Sequence, residues 1–473
     1  MRNIFIILIV VPLIILFSCT GDTEPDQPNI LFILADDQCY NTIHELGNRE
    51  VITPTLDELA RRGTVFTTTY NMGGWNGAIC IASRTMFNTG RFLWRAFDAS
   101  KRLDSLAVAG QLWSQEMEKL GYDTYMTGKW HVRIDPAKIF RRVGTVRGGM
   151  PGDTPEGYNR PLNKEDWEWT PWDSTFGGFW EGGTHWSEVV AEETMAFLDS
   201  AAASEDPFFM YVAFNAPHDP RQSPRQYVDM YPLENVAVPG NYLPEYPFKD
   251  RIGCGPGLRD ERLAPFPRSE YAVKVHRQEY YAIISHMDTQ IRRILNKLEE
   301  TGKSGNTYIF FSADHGLSAG HHGLMGKQNM YDHSLRPPLI IAGPDIPEGE
   351  KRDVAVYLQD IMPTVIEYAG GEVPPYVEFN SLKSLIEGTG DRSYPEIYGA
   401  YMDLQRMIRM GNYKLIVYPY AGVRRLFDLA TDPGEINDLA SDPGQQERIK
   451  TMFSELIWLQ SEMGDTLDLT AFF

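Results

Sequence analysis

The sequence is short of basic residues and of cysteine. Lysine and arginine together number 44, against 64 aspartates and glutamates, which gives a formal net charge of -20. A surface of that charge repels polyanions and excludes nucleic-acid binding through a broad basic face. An anionic substrate would therefore need a local pocket of positive groups. No internal repeat or low-complexity tract interrupts the 473 residues, and the 42% hydrophobic and 23% charged content is that of a globular protein with a large core.

The first 27 residues have the layout of an export signal followed by a tether. A single basic residue precedes the apolar run Ile4–Phe17, which is too short for a comfortable membrane span. Because Leu16-Phe17-Ser18-Cys19 resembles the lipobox of bacterial lipoproteins, we predict a lipoprotein-type signal peptide with a lipidated Cys19 over residues 1–19 and a flexible tether over residues 20–27. A lipid anchor would hold the protein to the membrane, in the periplasm or at the outer membrane or cell surface of a bacterium. Plain secretion after ordinary signal cleavage is the alternative.

Cysteine is scarce enough for each position to be informative. With Cys19 assigned to lipid, Cys39, Cys80 and Cys254 remain, and an odd number in an exported protein leaves at least one unpaired. Cys39 and Cys254 could form a disulfide, a pairing that the sequence leaves open. Cys80 lies on a glycine-rich approach, four positions before Arg84, and we expect it just ahead of a short helix whose N-terminus would favour an anion.

Ionisable residues follow four predicted strands at the point where each strand ends. The first of these strands is the continuous apolar run Ile30–Leu34, a pattern typical of a strand buried on both faces of a parallel sheet. Ligands bind outside the carboxyl ends of the strands in open parallel sheets, so we expect these residues to converge on one edge. In chain order they are Asp36, Asp37, Lys129, His131, His218, Asp314 and His315.

Helical patterns between these strands predict an α/β fold with a large, mostly parallel sheet sandwiched by helices. Towards the C-terminus the pattern changes to short β-rich runs with close turns and a last helix. This change predicts a smaller C-terminal subdomain made of an antiparallel sheet plus a helix. We place a catalytic α/β domain at residues 28–380 and a C-terminal α+β subdomain at residues 381–473.

The residue types at the predicted edge suit a tetrahedral anion held by a cation and by fixed positive side chains. Several carboxylates at one site call for a metal ion, and an oxygen-rich set suits Ca²⁺ or Mg²⁺ better than zinc. Arg84, Lys129 and Lys327 would hold a transferring phosphoryl or sulfuryl group beside that ion. His131 and His218 can serve as acid and base near neutral pH.

One stretch of the sequence resembles the motif of a known enzyme family. Cys80-Ile81-Ala82-Ser83-Arg84, followed by Thr89-Gly90-Arg91, is similar to the motif of the formylglycine-dependent sulfatases, a family of the alkaline phosphatase-like superfamily. Alanine stands at position 82, where that family usually has proline. The resemblance continues in order along most of the chain, through Asp36-Asp37, Gly128-Lys129-Trp130-His131, Ala216-Pro217-His218, Asp314-His315-Gly316, Gly326-Lys327, Tyr413-Lys414-Leu415-Ile416 and Leu426-Phe427-Asp428-Leu429.

The resemblance implies a sulfuric ester hydrolase with a modified cysteine and one bound metal ion. A formylglycine-generating maturation enzyme would oxidise Cys80, and a hydroxyl of the hydrated aldehyde would attack sulfur. The cofactor implied is one Ca²⁺. Its ligands by resemblance are Asp36, Asp37, Asp314, His315 and the modified Cys80.

The resemblance also implies a role for each remaining site residue. His218 and Lys327 would protonate or stabilise the leaving alcohol oxygen. His131 would act as base on the second hydroxyl of the hydrate, which expels sulfate and regenerates the aldehyde. Lys129 and Arg84 would hold charge around the nucleophile.

The substrate expected of an exported lipoprotein is an external polymer, which favours a sulfated carbohydrate. A tryptophan-rich segment could line a pocket for a sugar ring, or could instead pin a long loop onto the domain. Its tryptophans are Trp167, Trp169, Trp172, Trp180 and Trp186. Two other functions stay open: a phosphomonoester or phosphonate hydrolase on the same scaffold, and a non-catalytic glycan-binding surface lipoprotein. We interpret His321 and His322 as structural or loop histidines, and a substrate contact is the alternative.

Overall fold

The structure is a computed structural model that describes residues 27–152, 154–391 and 394–472. The predicted signal peptide, Cys19 and all of the predicted tether except Gln27 lie outside the described residues. Within the described ranges, every helix is too short or too polar to cross a lipid bilayer.

Strands and helices alternate through most of the chain, as the sequence pattern predicts. The strands are β1 (Asn29–Ala35), β2 (Thr64–Phe66), β3 (Thr69–Tyr70), β4 (Gly73–Gly74), β5 (Asp123–Lys129), β6 (Arg142–Arg147), β7 (Phe208–Ala213), β8 (Thr307–Ala313), β9 (Leu339–Ala342), β10 (Glu350–Arg352), β11 (Val356–Tyr357), β12 (Glu396–Tyr401), β13 (Gln405–Met410), β14 (Tyr413–Tyr418) and β15 (Val423–Asp428). The α-helices are α1 (Pro54–Arg61), α2 (Ile79–Thr89), α3 (Leu93–Ala99), α4 (Leu103–Val108), α5 (Trp113–Lys119), α6 (Trp186–Ala202), α7 (Arg225–Val228), α8 (Glu270–Glu300), α9 (Asp332–Leu335), α10 (Ile361–Tyr368), α11 (Lys383–Ile386) and α12 (Gln446–Met463).

The main sheet has eight strands in the order β10-β2-β9-β8-β1-β7-β5-β6. Only β9 runs antiparallel to its neighbours among the described strands of this sheet, and the other pairs are parallel. The four strands whose ends carry the predicted site residues, β8, β1, β7 and β5, are consecutive neighbours in this order. Their carboxyl ends therefore meet at one edge, and the predicted mostly parallel α/β fold is confirmed.

The central strand β1 is buried on both faces, because helices cover both sides of the sheet. Phe32 packs in one core layer with Trp113 of α5 and with residues of α10. Ile33 points into the opposite layer, which α1, α6 and α8 supply, for example through Ile283. The alternation of neighbouring β1 residues between two layers explains why the sequence of this strand is apolar throughout rather than at every second position.

A second sheet has the order β15-β14-β13-β12-β4, and its last four strands in the chain are antiparallel to one another. Helix α12 packs against it in a shared core cluster. This confirms the predicted C-terminal antiparallel sheet and helix. The sheet also contains β4, in which Gly73 and Gly74 pair in parallel with Ala400 and Tyr401. A Cβ atom on Gly73, whose φ is +88°, would lie 2.0 Å from the carbonyl oxygen of Ala400, so only glycine fits there.

Candidate active site

The site is built on a helix that begins one turn earlier than the sequence suggests. Helix α2 starts at Ile79, so Cys80 lies in its first turn rather than ahead of it. Arg84 follows four residues later on the same face of the helix. Both side chains are buried, with Cys80 only 2% exposed. Ala82 lies between them, also buried, in the core cluster of the C-terminal sheet.

Arg84 joins helix α2 to the ends of three strands. Its Nε donates to Oδ2 of Asp314 at 2.9 Å, and its Nη1 donates to the main-chain oxygen of Lys129 at 2.6 Å. Its Nη2 lies 3.9 Å from Oδ1 of Asp36. The position of Cys80 relative to the ends of β8, β5 and β1 is therefore fixed by one guanidinium.

The acidic residues gather around Cys80 as predicted. Two groups of potential metal-ligand atoms lie within 4.8 Å of one another: one from Asp36, Cys80, Asp314 and His315, and one from Asp37, Cys80 and His218. Burial and the charge of Asp314 raise the pKa of Asp36 well above its usual value. A cation in this cluster would remove that repulsion.

A second observation also fits a metal ion in this cluster: some of its buried polar atoms have no hydrogen-bond partner. Oδ1 of Asp36 and Nε2 of His315 are buried without a hydrogen-bond partner among the described residues. Nδ1 of His315 lies 2.8 Å from the main-chain oxygen of Gly316, and donation there leaves a lone pair on Nε2. Nε2 also lies 3.1 Å from Oδ1 of Asp37, so in the neutral ring this lone pair faces carboxylate oxygens, an arrangement that a divalent cation between them would satisfy.

Two lysines balance the acidic residues and surround the thiol. Nζ of Lys129 donates to Asp36. Nζ of Lys327 donates to both oxygens of Asp37, at 2.9 and 2.8 Å, and lies 3.6 Å from Sγ of Cys80. Burial alone would raise the pKa of Cys80, but Lys129 and Lys327 hold it well below its usual value. The site therefore stabilises negative charge at position 80.

The two predicted acid–base histidines both contact Cys80. Hydrogen bonding from His131 and His218 contributes to the low pKa of the thiol. Burial lowers the pKa of His131 itself. A Cβ on Gly149 would lie 2.8 Å from Cε1 of His131, so the main chain at 149 packs directly on this ring. On the other side, Nε2 of His218 is 3.1 Å from Nζ of Lys327.

Three residues that the sequence analysis does not name complete the site around His218. Nδ1 of His218 lies 3.2 Å from Oδ1 of Asp219, and Asp219 forms an ion pair with Arg259. Nη2 of Arg259 is 2.7 Å from Oδ1 of Asp260 and 3.5 Å from Nε2 of His218. Position next to His218 could have identified Asp219. Arg259 and Asp260 lie where a loop enters the short 3-10 helix Asp260–Leu263, a stretch that carries no motif, so sequence offers no signal for them.

The structure thus brings together all the predicted catalytic and metal-ligand residues. The expectations for the other cysteines and histidines have different outcomes. Cys39 and Cys254 are free, buried and in separate core clusters, so the disulfide that the sequence left open does not form. Cys39 instead donates to the main-chain oxygen of Leu317 at 2.8 Å. His321 and His322 are packed against other rings, in agreement with a structural role.

Some tryptophans of the 167–186 segment pin the loop onto the domain, and others line a surface groove. Trp186 and Trp180 pack on neighbouring side chains: the guanidinium of Arg147 lies 3.8 Å from the Trp186 ring, and Trp180 stands edge-on to a buried histidine. Trp169 stacks on Phe176, with ring centroids 5.1 Å apart. Trp167 and Trp172 are exposed and line a surface groove.

A mostly parallel sheet that gathers a cysteine, carboxylates, histidines and fixed cations at its carboxyl edge defines a hydrolase site suited to tetrahedral oxyanions. The chain belongs to the sulfatase family, whose profile matches residues 28–371, and it is therefore a sulfuric ester hydrolase. A profile described as N-sulphoglucosamine sulphohydrolase, C-terminal, matches residues 320–462.

Individual relatives extend over nearly the whole chain. The chain is 29% identical to an arylsulfatase of Clostridium perfringens, over 91% of this chain and 94% of that protein. Its fold is similar to that of a solved protein in complex with its substrate D-glucosamine-2-N,6-O-disulfate, with a TM-score of 0.72, 22% identity and coverage of 93% and 99% of the two chains. A phosphonate monoester hydrolase from Silicibacter pomeroyi is similar in fold as well, with a TM-score of 0.71, 20% identity and coverage of 93% and 96%.

Proposed function

We propose that this protein is an exported, lipid-anchored sulfatase of sulfated glycans that acts through a formylglycine at position 80 and one Ca²⁺. The observation that carries the proposal is the convergence on Cys80 of Lys327, His131 and His218 beside an acidic cluster with unsatisfied acceptors. The sulfated glucosamine substrate of the structural relative and the export layout of residues 1–19 support a sulfated sugar outside the cytoplasm.

The metal would be held by Asp36, Asp37, Asp314 and His315 with the modified residue 80, and when bound it supplies Lewis-acid polarisation of the sulfate oxygens. The remaining chemistry belongs to side chains of this chain. Arg84 and Lys129 stand beside the acidic cluster and keep residue 80 in place as negative charge develops.

Maturation replaces the CH2–SH group of Cys80 by an aldehyde. The carbonyl oxygen comes formally from water, sulfur leaves as sulfide, and two electrons pass to an oxidant such as dioxygen, which the maturation enzyme uses. Hydration of the aldehyde then provides two hydroxyl groups on one carbon. The positive groups that hold the pKa of the Cys80 thiol low would also favour the ionised form of a hydroxyl at that position.

Hydrolysis then proceeds in two steps. In the first step the ionised oxygen of one hydroxyl, which has already lost its proton to solvent, bonds to sulfur as the bond from sulfur to the alcohol oxygen breaks, and His218 or Lys327 gives the leaving oxygen its proton. Nε2 of His218 and Nζ of Lys327 are 3.1 Å apart, so either group could serve the same leaving oxygen. In the second step His131 takes the proton of the other hydroxyl, the bond from carbon to the sulfate oxygen breaks, and the aldehyde is regenerated with release of sulfate.

Mass spectrometry of the peptide that contains Cys80, from a host with a maturation enzyme, tests the modification. Conversion removes about 18 Da, whereas an unmodified thiol contradicts the proposal. Activity is measured on an aryl sulfate, an aryl phosphate and an aryl phosphonate. We expect the sulfate to be preferred and Cys80→Ala to lose at least roughly 10³-fold in rate. Cys254→Ala, a matched buried free thiol, should keep the activity. Preference for either phosphorus ester would favour the alternative function.

The lipid anchor has a separate test. In cells of the native type, the unaltered chain should fractionate with membranes, and Cys19→Ala should release it into the soluble exported fraction. Equal fractionation of the two forms would contradict lipidation of Cys19 without affecting the catalytic proposal.

A further inference from the structure

A tryptophan-lined groove lies on the surface between the 160–172 segment and helices α7 and α8. Its volume is about 450 Å³, and its walls include Trp167, Trp169 and Trp172 with Tyr271 and Glu279 of α8. Trp167 is 76% exposed and Trp172 is 36% exposed, which is unusual for such large apolar side chains. Exposed indole faces beside a concave wall are suited to the C–H face of a pyranose ring.

The groove is linked to the surroundings of His218 through a second hollow. This hollow of about 440 Å³ shares Arg160, Asp166 and Trp167 with the groove and is also lined by Tyr158. The hydroxyl of Tyr158 lies 3.1 Å from Oδ2 of Asp219 and accepts from Nη1 of Arg259 at 2.8 Å. Tyr158 therefore connects the lining of the second hollow to the residues that contact His218, and the three shared residues connect that hollow to the groove.

The charges of the groove argue against an anionic occupant. Its arginine, Arg160, is bonded to Glu279, with 2.7 Å between Nη1 and Oε1. Arg225, which lies 5.4 Å from the Trp172 ring, is paired with Asp229. The groove thus has two mutually neutralised ion pairs and, in its lining, the further carboxylate of Asp166, so its net charge is negative. A sulfated or carboxylated sugar unit would meet repulsion there, whereas an uncharged unit would not.

We propose that this groove binds an uncharged sugar residue of the glycan, next to the sulfated residue that enters the catalytic centre. The proposal rests on the proposed function for its choice of a saccharide, and it adds that the substrate is a chain in which sulfated and unsulfated units are neighbours. Binding depends on stacking against Trp167 and Trp172 and is independent of the calcium site and of residue 80.

The full-length protein is titrated with three neutral probes, cellohexaose, neoagarohexaose and chitohexaose, with tryptophan fluorescence and calorimetry as readouts. We expect at least one probe to bind with an affinity that changes less than about twofold between low and high salt. The double variant Trp167→Ala, Trp172→Ala should weaken that binding by about tenfold or more and leave aryl sulfate hydrolysis unchanged. Trp458→Ala removes a tryptophan that is 53% exposed on α12, and it should have no effect.

Each contrary outcome has a defined meaning. Failure of all three probes to bind, or equal weakening by Trp458→Ala, overturns the groove proposal. A requirement for sulfated oligosaccharides with strong salt dependence also overturns it, because the occupant would then be anionic. Aryl sulfate hydrolysis without neutral-sugar binding removes the groove proposal alone. Neutral-sugar binding without any sulfatase activity removes the proposed function alone.

Discussion

Arg259 and Asp219 form an ion pair that touches both ring nitrogens of His218. Oδ1 of Asp219 lies 3.2 Å from Nδ1 of His218, and Nη2 of Arg259 lies 3.5 Å from Nε2. Burial would raise the pKa of Asp219, but Arg259 and His218 hold it far below its usual value, so the carboxylate stays ionised. Nδ1 of His218 donates to the main-chain oxygen of Asp219 at 2.9 Å, the ionised side chain of Asp219 adds negative charge beside that nitrogen, and Nε2 faces Lys327.

Asp219→Asn should weaken leaving-group protonation without unfolding the protein. We expect the rate on a poorly leaving alkyl or sugar sulfate to fall by roughly 10²-fold, since positioned acid–base catalysis contributes that much or more. A nitrophenyl sulfate needs little protonation and should lose much less. The two kcat values and their pH profiles are the measurement. Asp250→Asn, at an exposed aspartate paired with Lys249, serves as the control. Equal losses on both substrates would show that Asp219 does not act through His218.

Arg84→Lys should damage the site although it preserves the charge. A lysine cannot reach Asp314 and the main-chain oxygen of Lys129 together, as the Arg84 guanidinium does at 2.9 and 2.6 Å. We expect a loss in kcat of roughly 10²–10³-fold with a smaller change in KM, because loss of one positioned donor costs about 3 kcal/mol in the transition state. Kinetics on protein with a measured formylglycine content separates this effect from impaired maturation. An unchanged kcat per modified chain would contradict the role given to Arg84.

Removal of divalent cations should destabilise the fold as well as abolish activity. Chelation leaves Asp36, Asp37 and Asp314 close together, and a cation at 100 times its Kd contributes about 2.7 kcal/mol of stability by mass action. Thermal unfolding before and after chelation, with Ca²⁺ or Mg²⁺ restored, measures this. Asp314→Asn should lose the cation-dependent shift. Asp360→Asn, at a buried carboxylate that caps main-chain groups elsewhere, should retain it. A midpoint insensitive to chelation in the unaltered protein would argue against a metal in the cluster.

The histidines near β14 predict acid sensitivity of the fold. Burial, then Arg425 and Lys414, lowers the pKa of His322 to about 3. The unfolded chain binds a proton at this residue near pH 6.5, so its contribution to stability is present above that pH and is lost as pH falls towards 3, by about 1.4 kcal/mol per unit. His322→Gln should flatten the slope of unfolding free energy between pH 6 and pH 4 by that amount.

Denaturant unfolding at three pH values in this window provides the measurement for His322. His44→Gln, at an exposed histidine, is the matched comparison and should change the slope less. If the slope with His322→Gln equals that of the unaltered protein, protonation of His322 does not limit stability in acid.

Much of the site could be predicted because its ionisable residues come directly after predicted strands in the sequence. The apolar run of β1 located Asp36 and Asp37, and the parallel order of four adjacent strands made convergence a geometric consequence. The residues that contact His218 could not be predicted in this way. Arg259 reaches the site from a loop whose path is determined by packing, so neither periodicity nor spacing indicates it. The same holds for the groove, since exposure of Trp167 and burial of Trp169 depend on which neighbours cover each ring.

The pairing of Gly73 and Gly74 with Ala400 and Tyr401 has a consequence for the order of events during synthesis. The segment leading into Cys80 cannot reach its final place until a strand about 320 residues later has left the ribosome. At roughly 5–20 residues per second, that delay is about 15–60 s. During this interval the thiol that ends up only 2% exposed is not yet enclosed by the finished fold, so the maturation proposed above would have to act on residue 80 before the C-terminal sheet forms.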